Sequence, residues 1–450
     1  IMTNKKVFYL MGGILLCIFL LIYSKDAVYY SKENPEEVFD YEIITNQQGE
    51  KEITIYQYLG NQTDIIIPKY INGIRVARIG RRITYTNDNK VDTIAEEGVA
   101  KNVDTITLPP DIIIGDYAFW GDNIKKVIFQ GKVLEIGSYA FGHCRILNRI
   151  GTKVEESDYC EIAAPILGDN IFVGCVSLKT VHFDNCVTYI ANGMFKECIG
   201  LEKVVMEDGI TEILDYAFSG CTGLKEIVFS KDLEKIGFSA FEECRSLTQI
   251  NLPDSVKKIK PDAFVHCTSL IKISFPPYIT EIVNFNFSRC TALREVKFLG
   301  QIQKIGDYAF TETGITEISL PPTVIEIGEG SFLDSAIQKI ELSEQITKIN
   351  AYAFTGCSNL KTIDFPDNIR EIKAEAFYKS GNEMLIVYYR EDTQTQQAIL
   401  GMEIEDISYP RCPPYYIETS IDMDNGDIVY SYYEYNRVEP LSQVKFCVIK

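Results

Sequence analysis

Apolar residues recur along most of this chain in one motif that repeats about every 23 positions. In the copy from Ile213 to Phe229, ILDYAFSGCTGLKEIVF, an Ala-Phe pair precedes a cysteine and the apolar ending Leu-x-x-Ile-x-Phe. The copies place a phenylalanine at Phe119, Phe141, Phe172, Phe195, Phe218, Phe241, Phe264, Phe287, Phe310, Phe332, Phe354 and Phe377. A repeat of this length predicts a solenoid, because each unit buries its apolar side against its neighbours.

The spacing within one copy predicts the elements of a coil. The Leu-x-x-Ile-x-Phe ending alternates with a period of two, which is typical of a strand with one buried face. A proline often follows and stops the strand, at Pro253, Pro276, Pro321 and Pro366. A second apolar pair, such as Leu233 with Ile236, comes before the next Ala-Phe. We therefore predict that each coil contains a strand, a corner, a short extended segment and a single helical turn.

The consensus I-G-x-x-A-F-x-x-C-x-x-L-x-x-I-x-L-P resembles the BspA-like leucine-rich repeat over roughly residues 41–377. The resemblance implies a curved, right-handed leucine-rich-repeat solenoid that is β-rich with short helical turns. It also implies a bacterial cell-surface protein that acts in adhesion or protein binding and has no catalytic activity.

Departures from the repeat divide the chain into segments. Residues 41–98 resemble the N-terminal cap of that family, and residues 99–377 hold the repeats, with a degenerate first copy around Val99. Residues 378–408 read as a cap of strand, short helix and strand. Residues 409–450 form a tyrosine-rich β tail, in which two runs flank Asn425-Gly426 and a third run, QVKFCVI, completes a small antiparallel sheet.

Three copies differ in length or composition. Eight extra residues precede Phe172, and the acidic insertion 155–170 contains part of them. The copies at Phe310 and Phe332 are each one residue shorter, with Thr313 and Ser335 in place of the cysteine. Function is expected where the copies deviate, in the insertion and in the tail.

The N-terminus predicts membrane attachment or export. Residues 1–6 contain two lysines and are expected in the cytoplasm, whereas residues 7–23 are apolar, uncharged and just long enough to span a bilayer. Residues 24–40 read as a polar stalk. Both an uncleaved transmembrane anchor and a cleaved signal peptide fit this pattern. The expected location is therefore the cell membrane with an extracellular repeat domain, or secretion.

The charge balance narrows the class of partner. The chain has 44 Lys and Arg against 63 Asp and Glu, a formal net charge of −19. This charge disfavours binding to phosphate backbones, so no nucleic acid partner is expected. A protein partner is expected, and carbohydrate is the alternative.

Candidate chemistry reduces to the cysteine column and three histidines. The column consists of Cys144, Cys175, Cys198, Cys221, Cys244, Cys267, Cys290 and Cys357. So many equivalent thiols indicate buried packing rather than catalysis, although the strand spacing does not exclude disulfides. Cys160 and Cys186 lie off the column and are better disulfide candidates. We expect no shared relay or metal site among the histidines, and no catalytic residue, cofactor or metal.

The candidate partner contacts lie on outward strand positions and in the tail. The strand positions are Lys179, Glu202, Lys203, Lys225, Glu226, Lys272, Arg294 and Glu295. Opposite charges often occupy adjacent coils, which is also the pattern of a solvated, self-paired face. The tail candidates are Tyr430, Tyr432, Tyr433 and Tyr435. The tyrosines two residues before a repeat phenylalanine are interpreted as corner residues.

Two functional hypotheses follow from these observations. The first is a non-catalytic protein-interaction or adhesion scaffold built on the repeats. The alternative is a surface protein that binds carbohydrate or cell wall through the tyrosine-rich tail.

Overall fold

The computed structural model describes residues 35–81, 83–85, 91–94, 99–100, 102–152, 159–373, 375–381, 384–390, 416–421, 428–433 and 443–449. The expected membrane segment 7–23, Asn425-Gly426 and the acidic residues 155–158 lie outside these ranges, as does the greater part of the predicted C-terminal cap. Contacts divide the chain into two compact units, Ile1–Val187 and Thr188–Lys450.

The first unit contains a short helix and fifteen strands within the described residues. These are α1 (Pro35–Val38), β1 (Phe39–Thr45), β2 (Lys51–Tyr58), β3 (Asp64–Ile66), β4 (Tyr70–Ile71), β5 (Ile74–Ile79), β6 (Ile83–Tyr85), β7 (Val91–Ile94), β8 (Thr105–Leu108), β9 (Ile112–Ile114), β10 (Lys126–Phe129), β11 (Val133–Ile136), β12 (Arg149–Gly151), β13 (Tyr159–Ile162), β14 (Ile166–Leu167) and β15 (Thr180–Phe183).

The second unit consists of strands that alternate between the two sides of each coil. These are β16 (Tyr189–Ile190), β17 (Lys203–Met206), β18 (Glu212–Ile213), β19 (Glu226–Val228), β20 (Lys235–Ile236), β21 (Gln249–Ile250), β22 (Lys258–Ile259), β23 (Lys272–Phe275), β24 (Glu281–Ile282), β25 (Glu295–Phe298), β26 (Lys304–Ile305), β27 (Glu317–Ser319), β28 (Glu326–Ile327), β29 (Lys339–Glu341), β30 (Lys348–Ile349), β31 (Thr362–Asp364), β32 (Glu371–Ile372), β33 (Met384–Arg390), β34 (Tyr416–Ile421), β35 (Ile428–Tyr433) and β36 (Gln443–Ile449).

Parallel pairing between consecutive coils builds a β-solenoid in each unit. In the first unit one sheet runs β3-β8-β10-β12-β13-β15, and a second runs β1-β2-β5-β9-β11-β14. The first copy predicted around Val99 is present, because Val99 and Ala100 are buried and β8 pairs with β10. Antiparallel pairs occur at the start, where β4 and β5 form a hairpin through Asn72 and Gly73, both with positive φ.

Among the described residues, the repeat strands of the second unit do not form one continuous ladder. They pair in the orders β17-β19, β21-β23-β25 and β27-β29-β31-β33-β36. The strand ladder is therefore interrupted between β19 and β21 and again between β25 and β27. On the other side of the coils, the short strands pair as β16-β18-β20-β22, β24-β26-β28 and β30-β32.

A stack of phenylalanine rings forms the centre of each unit. Phe119 and Phe141 stack with ring centroids 5.1 Å apart, and Phe218 and Phe241 stack at 5.3 Å. Each of these rings is fully buried. Burial of one such side chain stabilises the fold by about 1.5–3 kcal/mol, and each stacked pair adds about 0.5–1.5 kcal/mol. The phenylalanine column found in the sequence is therefore the spine of the core.

The turn around each repeat phenylalanine contains two residues in the left-handed region. In the copy at Phe218 these are Tyr216, with φ of 59°, and Gly220, with φ of 73°. The same two positions have positive φ in every copy, including the corner tyrosines Tyr117, Tyr139, Tyr308 and Tyr352. This conformation costs an L residue about 1–2 kcal/mol. It also differs from the helical turn expected from the sequence, since no helix is assigned to a coil within the described residues.

The left-handed residues align backbone groups with the next coil. Tyr216, Phe218 and Gly220 each donate their N–H to a carbonyl of the following coil, all at 2.8 Å. A helical turn would direct these N–H groups along its own axis. Three hydrogen bonds per coil, at about 0.5–1.5 kcal/mol each, therefore offset the conformational cost of the turn.

The cysteine column lies next to this turn and is buried, as predicted. Cys244 Sγ donates to the carbonyl of Phe218 at 3.4 Å, and Cys357 Sγ donates to Phe332 at 3.0 Å. The same bond to the preceding coil is made by Cys144, Cys175, Cys221, Cys267 and Cys290. Ser380 occupies the equivalent position and donates through Oγ. Seven column cysteines and Ser380 therefore each link a coil to the preceding one through this hydrogen bond, which burial alone does not explain.

Thiol chemistry is suppressed in the column. Burial raises the pKa of Cys357 to about 12 and raises the pKa of Cys221 well above its ordinary value. The eight column cysteines are free thiols in the structure, and Cys186 is also a free thiol. The side chain of Cys160 lies outside the described residues.

Two irregular segments have roles that the sequence did not indicate. Part of the insertion before Phe172 forms β13, which pairs in parallel with β12 and with β15. The run QVKFCVI forms β36, which pairs in parallel with β33 over seven residue pairs, from Met384 with Gln443 to Arg390 with Ile449. The prediction that this run completes a small antiparallel sheet in the tail was therefore wrong, because the run extends the repeat sheet in parallel instead.

Three core residues have side-chain polar atoms without a hydrogen-bond partner among the described residues, and these are Thr54, Asn286 and Ser331. Asn286 replaces the alanine before Phe287, is 1% exposed, and has no such partner for either Oδ1 or Nδ2. An unsatisfied buried amide costs about 1–3 kcal/mol. The adjacent coils have Ala263 and Ala309 at this position, and both are buried.

We expect Asn286→Ala to raise the free energy of unfolding by about 1–2 kcal/mol, because it removes the cost of two buried, unsatisfied polar atoms. Urea denaturation followed by circular dichroism measures the change. Ala309→Asn is the matched control and should destabilise the protein. A lower unfolding midpoint for Asn286→Ala would contradict the assignment.

We expect the column thiols to resist iodoacetamide at pH 8 in the native protein, because they are buried, and because burial raises the pKa of Cys144 and Cys244. Cys186 is only partly buried and should react first. Mass spectrometry of tryptic peptides, without reductant, measures the modified fraction at each site, and urea should make the column reactive. Native labelling of Cys244 at the rate of Cys186 would refute this account.

Candidate interaction surface

The strand face is the surface formed by outward positions of the repeat strands of the second unit, from Glu202 to Asp364. Along each strand the side chains alternate between core and solvent, as in β23, where Ile273 is buried and Lys272 is exposed. The core frame is similar from coil to coil, whereas the outward residues differ. This surface is therefore the part of the repeat that can carry recognition.

Several predicted contact residues on this face pair with each other. Lys225 Nζ lies 2.7 Å from Glu202 Oε2, and Lys203 Nζ lies 2.8 Å from Glu226 Oε1. Glu202 and Lys203 are half-buried, and so is Lys179 in the first unit. Exposed pairs of this kind contribute about 0–1 kcal/mol. The charges at this end of the second unit are thus mutually compensated.

The predicted contact residues further along the face are arranged differently. Lys272 is exposed and has no ion pair among the described residues, although Glu295 is its register neighbour. Glu295 instead pairs with Lys297 at 2.8 Å, and this lysine lowers the pKa of Glu295. The structure therefore brings Lys272, Glu295 and Lys297 together on β23 and β25.

Arg294 folds back onto its own coil. Its Nη1 donates to the carbonyl of Thr291 at 2.8 Å and to that of Leu293 at 3.1 Å. The guanidinium occupies the space over Gly314, where an added Cβ would lie 1.1 Å from Nη1. The side chain is exposed, but its orientation is fixed by the shortened neighbouring coil.

Apolar side chains are exposed beside these charges. Ile271 is 50% exposed and Leu299 is 59% exposed. Val296 and Phe298 point to the core side of β25 but are half-buried, whereas Ile273 and Phe275 on β23 are buried. The difference arises because β25 pairs with β23 alone among the described strands.

Leu299 and Lys297 were not identified from the sequence. A signal for Leu299 exists, since the equivalent position is proline in four other copies, Pro253, Pro276, Pro321 and Pro366. No comparable signal indicates that Phe298 is half-buried, because the residue matches the core consensus.

The opposite side of the coils presents a second charged surface. Its outward column alternates in sign except at the neighbours Lys235 and Lys258, and Lys235 pairs with Glu212 at 2.9 Å. Lys304 likewise pairs with Glu326 at 3.3 Å, and Lys348 pairs with Glu371 at 3.4 Å. Most of its charges are therefore compensated by neighbours in the same column.

The tail hairpin is present as backbone. β34 and β35 pair antiparallel, with Tyr430 opposite Thr419 and Tyr433 opposite Tyr416. Strand alternation puts Tyr430 and Tyr432 on one face and Tyr433 on the other. The side chains of these residues, and Tyr435 as a whole, lie outside the described parts of the chain. Their role as contacts stays a prediction.

The histidines occupy structural positions. His143 packs edge-on against Trp120 with ring centroids 4.6 Å apart. His266 lies between two charged residues, with Nδ1 3.6 Å from Glu243 Oε1 and Nε2 3.1 Å from Arg289 Nη1. These contacts join consecutive coils along one corner and stabilise their stacking.

Buried carboxylates near this corner have altered proton affinity. Burial, with a smaller contribution from Glu242, raises the pKa of Asp262 to about 6. Burial also raises the pKa of Glu242, whose Oε2 accepts a hydrogen bond from Ser219 Oγ at 3.3 Å. Within the described residues, no group of three or more metal-ligating side chains is close enough to hold a metal ion.

Among the described residues, no helix has the length and hydrophobicity needed to cross a membrane.

Comparison with solved structures supports the fold. A leucine-rich repeat protein from Bacteroides ovatus is 23% identical, with a TM-score of 0.50, covering 82% of this chain and 96% of that one. A leucine-rich cell surface protein from Faecalibacterium prausnitzii is 22% identical, with a TM-score of 0.44, covering 80% of this chain and 88% of that one. A leucine-rich repeat protein from Eubacterium ventriosum is 18% identical, with a TM-score of 0.42, covering 76% of this chain and 92% of that one. No match is found among curated proteins.

The repeat itself matches a family model. The BspA type leucine rich repeat region matches residues 83–148, 159–271 and 258–384, in six copies. These ranges cover more than half of the chain and coincide with the coils described above. The protein therefore belongs to the BspA-type leucine-rich repeat family.

Proposed function

We propose that this protein is a non-catalytic cell-surface scaffold that binds a protein partner through its strand face. The observation that carries the proposal is the contrast between the uniform core of the coils and their varied outward residues. On the strand face, exposed charges lie beside exposed apolar side chains such as Ile271 and Leu299. Protein interfaces commonly combine an apolar centre with a polar rim.

The opposite side of the coils is less suited to this role. Its strands are mostly two residues long, and all the charges of its outward column except Lys258 have an ion pair among the described residues. The strand face also has paired charges, such as Lys203 with Glu226, but its strands are longer and Ile271 and Leu299 are exposed among its charges. We therefore assign recognition to the strand face.

A protein partner fits the strand face better than a carbohydrate does. Carbohydrate sites usually present exposed aromatic rings for stacking. The outward strand positions from Glu202 to Asp364 contain no aromatic side chain. Carbohydrate binding through the tail hairpin is retained only as an arm of the test.

The proposed location is the bacterial cell surface. It is supported by the family and by the description of the Faecalibacterium prausnitzii protein as a cell surface protein. Attachment through the apolar segment 7–23, or export after its removal, accords with this location.

Exchanging the charges of one strand-face pair tests the proposal. We expect the double variant Lys203→Glu with Glu226→Lys to reduce capture of an extracellular protein partner by about tenfold. The ion pair is retained, so the free energy of unfolding should change by no more than about 0.5 kcal/mol. Pull-down with quantitative mass spectrometry, together with a glycan array, provides the measurement.

The matched control is Lys235→Glu with Glu212→Lys, which exchanges a similar pair on the opposite side. This control should capture the partner normally. Equal losses in both double variants, or binding to glycans alone, would contradict the proposed function.

A further inference from the structure

The middle section of the strand face differs in charge from the protein as a whole. The central strand sheet, defined as β21, β23 and β25, lies between the two interruptions of the strand ladder. Its outward positions carry three cations, Lys272, Arg294 and Lys297, and one carboxylate, Glu295. The chain has a formal net charge of −19. The outward side of this sheet therefore has a net positive charge, although the protein as a whole is strongly negative.

The same sheet has the apolar part of the surface. Ile271 lies directly before β23, next to Lys272, and Leu299 lies directly after β25. Both side chains are at least half exposed. Beside them, Val296 and Phe298 on β25 are half-buried. Positive charge and exposed apolar groups thus coincide at one place.

We propose that the central strand sheet binds an extended, acidic segment of the partner protein, with apolar residues placed between its carboxylates. This inference rests on the proposed function and specifies its partner. The segment's carboxylates would approach Lys272 and Lys297. Its apolar side chains would cover Leu299 and Ile271.

Charge complementarity carries the choice of occupant. Lys272 has no ion pair among the described residues, and Lys297 is 63% exposed with one carboxylate neighbour. A partner carboxylate can therefore be bound without breaking a buried pair, and the surrounding negative charge of the protein disfavours wrong orientations. Arg294 contributes charge without moving, because its guanidinium is already held by two carbonyls.

The layout of the site favours an extended segment over a rounded surface. Lys272 and Lys297 lie on the outward side of two paired strands, with Ile271 directly before β23 and Leu299 directly after β25. An extended chain alternates the direction of its side chains, so its carboxylates and apolar groups can meet these positions in turn.

Fluorescence anisotropy with the full chain tests the inference. The probes are two synthetic peptides of about ten residues with the same leucine positions, one with glutamate and one with lysine at the alternate positions. We expect the glutamate peptide alone to bind, and we expect its affinity to fall between about 0.05 M and 0.3 M salt.

Two variants locate the site. Lys272→Glu with Lys297→Glu should weaken binding of the glutamate peptide by at least about tenfold, and Leu299→Ser should also weaken it. Lys339→Glu is the matched charge control, because Lys339 pairs with Glu341 at 2.8 Å two residues away, as Lys297 does with Glu295. Ile325→Ser is the matched apolar control, since Ile325 is 53% exposed. Both controls should bind normally.

Several results would overturn the inference. These are equal binding of both peptides, no binding of either, an equal loss in the Lys339→Glu control, and binding only to phosphatidylserine vesicles. Self-association in sedimentation that Lys272→Glu abolishes would assign the surface to a second copy instead. If Lys272→Glu with Lys297→Glu still captures the protein partner while the exchange of Lys203 and Glu226 does not, the partner binds elsewhere on the strand face. The proposed function then holds, and only the assignment to the central strand sheet is wrong.

Discussion

Every coil depends on transferring its backbone hydrogen bonds to the next coil at the phenylalanine turn. The three N–H groups at and around Phe218 satisfy this requirement only because Tyr216 and Gly220 adopt the left-handed conformation. The turn holds consecutive coils in register, so the rings of Phe218 and Phe241 can stack and Cys244 can reach the carbonyl of Phe218. The core, the thiol column and the strand register all follow from this alignment.

The shortened copies show how a local change acts on this frame. The copy at Phe310 is one residue shorter between its turn and its strand, with Thr313-Gly314-Ile315 where others have a longer connection. The turn still stacks, since Phe287 and Phe310 lie 5.8 Å apart. The shortening does not prevent strand pairing, because β29 of the equally shortened next copy pairs with both β27 and β31. Its effect on the surface is local, since Arg294 fills the space over Gly314.

Most of the core could be predicted from the sequence, because the period and the apolar spacing are local signals. The phenylalanine and cysteine columns and the buried face of the strands were all identified in this way. The left-handed turns were not, since Tyr216 and Glu243 are residues that seldom adopt positive φ. The parallel pairing of β36 with β33 also had no sequence signal, because partners distant in sequence cannot be chosen by local pattern. The candidate surface depended on burial at single positions, which repeat alignment does not resolve.

The parallel pairing of β36 has a consequence for how the protein folds. Coils in a repeat array form by contacts between sequence neighbours, and such contacts close quickly. The last repeat sheet instead requires Gln443 to return to Met384, which closes a loop of about 60 residues. During synthesis or export the coils can therefore assemble progressively. The pairing of β33 with β36 forms only after β36 has been synthesised.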